Sequence, residues 1–235
     1  MQRYFAINKK DNQFFLESSD LRHIKTVMRM KDNDEIEVVY ENKLYLCCIE
    51  NVKFDIQINV KKELKSSEKS LQITLIIPVL KEQKMDYILQ KSTELGVTKI
   101  IPVITERTLV KLDEKGILKK LERWNKICKE ASEQSKRTTV PIIENICKLK
   151  DIKSGVGINI ICSTVTKNTI KNTFQNKTLC DKIKIVIGPE GGLSPKEEEM
   201  LNSEGFESVS LGERILRVET APLVVLSILN YINME

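Results

Sequence analysis

The stretch KIVIGPEGGLSPKEEEMLNSEGF, residues 184–206, passes from an apolar strand through a glycine-rich loop into a helix. Residues 183–187 form the strand, and Gly188, Pro189, Glu190, Gly191 and Gly192 form the loop. Ser194 suits the N-cap, Pro195 the first helical position and Glu197 the third, so the helix start carries a capping box. A glycine-rich loop at the carboxyl end of a strand is where open α/β sheets bind ligands. Glycine there lets bare backbone come close to a bound molecule. The loop is not GxGxxG and lacks the Lys-Ser/Thr pair of a phosphate-binding loop, which disfavours a dinucleotide or a triphosphate.

Downstream, SVSLG (residues 208–212) is a second strand ending in glycine, and ERILRVETAP (residues 213–222) leads into a closing helix that Thr220 can cap. Arg214, Arg217 and Glu219 are set among Ile215, Leu216 and Val218. Two glycine-ended strands in succession, each feeding a loop with charged side chains, read as a site.

Upstream the grammar is the same. Residues 71–79 are an apolar strand, and Met85, Ile88, Leu89, Ser92 and Leu95 mark one helix face that Gly96 ends in a left-handed cap. Residues 99–104 and 157–163 read as further strands, and 113–136 as a long charged helix rich in lysine. Alternating strands and helices predict a mostly parallel sheet. Residues 1–70 differ. Short runs at 3–7, 14–16, 35–40, 44–52 and 55–60, separated by turn signals at Asn33-Asp34 and Glu41-Asn42, predict a small β-barrel. One helix at 21–30, capped by Asp20, interrupts it. The polar segment KKELKSSEKS (61–70) predicts a boundary between domains 1–70 and 71–235.

Composition narrows the function. The chain has 235 residues and a formal net charge of +5, with 41% hydrophobic and 30% charged residues, which are ordinary globular values. Its 5% aromatic content gives little for base-stacking platforms. The six cysteines (47, 48, 128, 147, 162 and 180) show no CxxC spacing and read as reduced thiols, and His23 is the single histidine. No GxSxG is present, so metal-dependent and triad-hydrolase chemistry are both poor readings. The apolar run 221–226 is interrupted by proline and too short to span a bilayer, and MQRYFAINKK has no apolar signal core. A cytoplasmic protein with no metal and no membrane partner is expected.

IGPEGGLS followed by LGERILRVETAP resembles the signature of the 16S ribosomal RNA uridine-N3 methyltransferase family, often called RsmE, within the SPOUT superfamily. KMDYILQKSTELGVTKIIPVITER (84–107) and RWNKICKEASEQSKRTTVP (123–141) resemble its central motifs. MQRYF and LRHIKTVMRMKDND resemble its amino-terminal RNA-binding domain. The resemblance implies an N-terminal PUA-like β-barrel and a C-terminal trefoil-knotted α/β domain. It further implies a homodimer that binds S-adenosylmethionine in the knot and methylates N3 of a uridine in 16S ribosomal RNA or the small ribosomal subunit. Carried over by motif, Ile187, Gly188, Pro189, Glu190, Gly191, Gly192, Leu211, Gly212, Ile215 and Leu216 would hold the cofactor, with Ser163 and Thr164 as a third loop. Arg3, His23 and Arg29 would meet RNA.

Methyl transfer needs an in-line nucleophile held close and shielded from water. Uracil N3 must also lose its proton, so the site needs a base or cations that stabilise the developing anion. Glu190 can act as base or cofactor orienter, Arg217 or Arg137 can stabilise the uracil oxygens, and Glu219 can be a capping-region partner of an arginine. Two rival readings are an RNA-binding ribosome-assembly protein that keeps the pocket without transfer, and a SPOUT enzyme acting at another RNA position.

Overall fold

The computed structural model describes residues 1–52, 55–65, 71–110, 113–175 and 181–233. The chain divides into two units, Met1–Lys69 with Ser132–Thr139, and Ser70–Ala131 with Val140–Glu235.

In the first unit, β1 (Arg3–Phe5), β2 (Asn8–Lys10), β3 (Gln13–Phe15), β4 (Glu35–Tyr40), β5 (Lys43–Val52) and β6 (Asp55–Leu64) form one sheet in the order β1-β4-β5-β6-β3-β2. Its two edge strands, β1 and β2, are separated in the chain by Ala6 and Ile7 alone, so the sheet must curl to bring the end of one edge to the start of the other. That curl gives the sheet its barrel-like form. Tyr4, Phe14, Ile36, Val38, Cys47, Ile49 and Ile58 fill the interior, on alternate positions of their strands.

Three expectations change here. Residues Lys61 to Leu64 are not linker: they extend β6 against β5, where Leu64 pairs with Leu44. Residues 66–70 of that segment lie outside the described residues. The helix expected at 21–30 is α1 (Ser18–Arg22), followed by a π-helical turn at His23–Val27. Asp20 does not cap it but lies inside it, buried, while Glu17 holds the N-cap position without a side-chain capping bond.

In the second unit, β7 (Gln72–Pro78), β8 (Lys99–Ile104), β9 (Ile142–Ile143), β10 (Cys147–Lys148), β11 (Ile158–Cys162), β12 (Lys182–Ile187) and β13 (Glu207–Val209) form an all-parallel sheet. The order is β10-β8-β7-β12-β11-β13, with β9 also on β8. Parallel strands are buried on both faces, and the sequence obeys that parity. Ile73, Leu75, Ile77, Ile183, Ile185 and Ile187 enter one core, whereas Ile76, Val186 and Ile161 enter the other.

The helices are α2 (Glu82–Glu94), α3 (Glu114–Gln134), α4 (Ile170–Gln175), α5 (Pro195–Ser203) and α6 (Ala221–Ile232). Gly96, at φ 92°, ends α2 as expected. In α6, Val225, Leu226 and Leu229 are fully buried within the unit, and Asn230 donates to the Leu95 carbonyl at 3.0 Å. No helix among the described residues is long and apolar enough to cross a membrane.

Candidate functional site

Because the sheet is all parallel, the carboxyl ends of its strands lie along one edge. Five segments leave that edge: the start of α2 after β7, the turn after β8, and the loops after β11, β12 and β13. Together they line a cleft of about 700 Å³. Ser163 and Thr164 follow β11, residues 188–192 follow β12, and residues 211–217 follow β13. All twelve residues named for the cofactor line this cleft, with Arg217 beside them.

The loop after β12 has little freedom. A Cβ on Gly188 would sit 3.0 Å from the Leu193 nitrogen and 3.2 Å from the Gly192 carbonyl carbon, and backbone cannot yield. Gly192, at φ 71°, donates to the Pro189 carbonyl at 2.8 Å and closes a tight turn. Glu197 secures the far side. Its Oε2 accepts from the Ser194 N–H at 2.9 Å, and Ser194 Oγ accepts from the Glu197 N–H at 3.3 Å, the reciprocal capping box. Its Oε1 accepts from the Glu106 N–H at 2.8 Å, which ties this helix start to the turn after β8.

Two cations that the sequence reading did not single out hold the loops. Arg107, in that turn, donates to the Gly191 carbonyl. Lys84, in the first turn of α2, donates to Glu190 Oε1 at 3.0 Å and stands 3.7 Å from Glu219 Oε2. These are the terminal residues of the 84–107 block, whose interior reads as a helix face and a strand. The block's ends were the available signal.

The candidate catalytic residues separate. Burial would raise the Glu190 carboxyl, but its own backbone N–H and the Lys84 ammonium outweigh this and hold it below the usual range. A carboxylate kept ionised in this way is a weakened base. Arg217 is 84% exposed, and its guanidinium stands 4.0 Å from Glu219 Oε1. Glu219 therefore pairs with Lys84 as well as an arginine. Thr220 occupies the N-cap of α6, but its side chain makes no capping bond. Arg137 is not brought into this cleft. It belongs to the first unit, is 5% exposed, and donates to Thr139 Oγ1 at 3.1 Å. The Cys162 thiol, at the end of β11, is pushed up by burial to about 12, which makes it inert wall.

In the first unit, Arg3 is 7% exposed. Its guanidinium donates to Glu37 Oε2 at 2.9 Å and to the Lys136 carbonyl. Both bonds hold the Arg3 guanidinium within the first unit. His23 Nδ1 is 3.0 Å from the Tyr4 hydroxyl. Arg29 is exposed, at φ 50°. Five described cysteines are free, Cys180 lies outside the described residues, and no cluster of His, Cys, Asp or Glu that could hold a metal is found among those described.

A β-barrel joined to a parallel α/β domain, with a glycine-lined cleft at the carboxyl edge of the sheet, defines a two-domain protein with a small-molecule site where such sheets bind their ligands. The family model described as an RNA methyltransferase domain matches residues 67–230, and the one described as an RNA methyltransferase PUA domain matches residues 16–59. Ribosomal RNA small subunit methyltransferase E of Aquifex aeolicus is 33% identical over 97% of this chain and 99% of its own length. A Neisseria gonorrhoeae protein of the same name, solved bound to S-adenosyl methionine, aligns with a TM-score of 0.87 at 30% identity, over 99% of this chain and 98% of its own. A Legionella pneumophila protein solved with the cofactor SAM gives a TM-score of 0.89 at 29% identity, over 98% and 97%. The chain belongs to the ribosomal RNA small subunit methyltransferase E family.

Proposed function

We propose that this chain transfers a methyl group from S-adenosylmethionine to N3 of a uridine in 16S ribosomal RNA. The observation that carries the reading is the convergence of the loops after β11, β12 and β13, with Arg217, on one cleft. The residues present suit the cofactor. The volume falls in the range of small-molecule sites. Ile187, Leu193, Leu211, Leu216 and Val218 offer apolar wall for the adenine. At Gly192 and Gly212 an added Cβ would meet nothing within 4 Å, so both loops face open space with bare backbone. When bound, the cofactor supplies an electrophilic methyl on a sulfonium.

The chain's own groups orient the reactants and stabilise charge. As N3 gives up its proton, negative charge spreads to the uracil oxygens, and the loosely held Arg217 guanidinium is a cleft cation able to meet it. Glu190, bound to Lys84, serves better as a loop anchor than as the proton acceptor. The first unit holds the RNA, through exposed cations such as Lys25, Arg29 and Lys31 and through shape and phosphate contacts. The same reading includes the trefoil-knotted passage of the second unit and a homodimer. In α6, Tyr231 is 78% exposed and Ile232 38%, next to the half-buried Leu223, Val224 and Ile228. Such apolar surface suits a two-fold partner. Light scattering at micromolar concentration should give the mass of a dimer, and a monomer would contradict it.

The deciding experiment incubates the full chain with S-adenosylmethionine and either 16S ribosomal RNA or small subunits, then identifies the methylated nucleoside by mass spectrometry. N3-methyluridine is the expected product. A methyl group on a ribose 2′-oxygen, or no transfer, would overturn the proposal.

A further inference from the structure

Each of the two loops on either side of the cleft brings a carboxylate to it. Glu190 belongs to the loop after β12 and Glu219 to the turn before α6, and neither is fully solvated, at 42% and 20% exposure. Lys84 enters from a third element, α2, and its ammonium serves both, at 3.0 and 3.7 Å. Glu219 Oε2 is buried and receives no hydrogen bond, so the ammonium is its nearest compensating charge. The position of Lys84 is itself fixed, because Arg123 of α3 pairs with Glu82 and Asp86 on the same helix turn. The ion pairs leave their mark on both partners. Donating to Glu190 raises the Lys84 ammonium, despite an opposing desolvation effect.

We propose that Lys84 neutralises the two loop carboxylates and thereby sets how the cleft divides its affinity between the cationic cofactor and its neutral demethylated product. The inference rests on the cofactor reading given above. S-adenosylmethionine and S-adenosylhomocysteine share every polar group and differ in charge at sulfur, which is a sulfonium in one and a thioether in the other. Two uncompensated carboxylates beside the cleft would favour the sulfonium form. They would hold the substrate cofactor in its ground state, where charge is concentrated, rather than in the transition state, where it is leaving sulfur. Lys84 removes that bias. It binds the carboxylates together without itself needing to touch either ligand, and is a positioning residue in that sense.

The test is calorimetric titration of the full chain with each ligand separately, at low ionic strength where screening is weak. Replacing Lys84→Met should shift the affinity ratio toward S-adenosylmethionine by about threefold to tenfold, the scale of one unit charge acting across a solvated cleft. Lys84→Arg should keep the wild-type ratio within about twofold, and added salt should shrink the Lys84→Met shift. If Lys84→Met weakens both ligands equally, the residue is a structural tie only and the proposal fails. A shift toward S-adenosylhomocysteine also overturns it. Should Lys84→Met not fold, Glu219→Gln carries the same test with opposite sign, a shift toward S-adenosylhomocysteine. A wild-type chain that binds neither ligand overturns the cofactor reading, and this inference with it. Binding of both with an unmoved ratio in the variants overturns the inference alone.

Discussion

Single side chains divide between those that hold the fold and those free to act, and burial tells them apart. Arg217, exposed and loosely paired, is the side chain to remove first. Arg217→Ala should lower the single-turnover methyl transfer rate by about tenfold to a thousandfold, with cofactor affinity near wild type. An unchanged rate in a folded variant would make it an ion-pair partner of Glu219 and nothing more. Glu37 stands at the opposite extreme. Burial works to raise its carboxyl, but the bonds from Arg3 and Lys136 prevail and hold it below the usual carboxylate range. A depressed carboxyl contributes stability that is present above the unfolded value and is lost as pH falls through the folded one. Glu37→Gln should therefore cost about 2 kcal/mol near neutral pH. The gap to wild type should close as melting is followed into acid, past the ordinary carboxylate range, and a gap that persists there would rule out the charge pairing. From sequence, Arg3 and Arg29 are the same kind of residue, a cation in a small basic domain. Only the third dimension distinguishes a guanidinium enclosed by Glu37 and Lys136 from one facing water.

Elements whose edges are written in side-chain chemistry were legible, and those set by tertiary contact were not. β4 and β8 were readable to the residue, because alternation and turn signals bound them. The capping box of α5 was also readable, and it can be tested directly. Ser194→Ala should cost about 1 kcal/mol in urea unfolding. Glu197→Ala should cost more, because it leaves both the Ser194 and Glu106 N–H groups without their acceptor. Equal costs would mean that the bond to Glu106 contributes nothing. By contrast, β2 is Asn-Lys-Lys with every side chain exposed, so no pattern announces it. Lys61 to Leu64 looked like linker because charged side chains on an exposed strand resemble charged side chains anywhere. The apolar spacing of 21–30 does not distinguish α from π pitch over a few residues. The cleft was legible because its glycine loops follow strand ends, where a parallel sheet places its ligands. Lys84 and Arg107 were not, since their contacts join segments far apart in the chain. Arg137, taken from a motif, proved to belong to another unit.

For the molecule as a whole, the two units should fail in different ways. Arg29→Ala should weaken RNA binding and reduce the steepness of its salt dependence by about one ion. Its affinity for the cofactor should stay within about twofold of wild type. Arg3→Ala should appear chiefly as a lower melting temperature, since it uncovers Glu37. If both variants showed the same salt slope and the same melting temperature, burial would not be what separates them.

The first unit is also discontinuous, and this bears on how the protein is made. Ser132–Thr139 groups with Met1–Lys69 although a stretch of the second unit is encoded between them. Lys136 contributes its carbonyl to Arg3 and its ammonium to Glu37. During synthesis the barrel strands leave the ribosome well before these partners exist. At ordinary elongation rates the wait is about 4 to 14 s. For that interval Arg3 and Glu37 have only each other, and the nascent barrel must persist without its last piece. A fragment cut after Lys69 stays in that unfinished condition permanently.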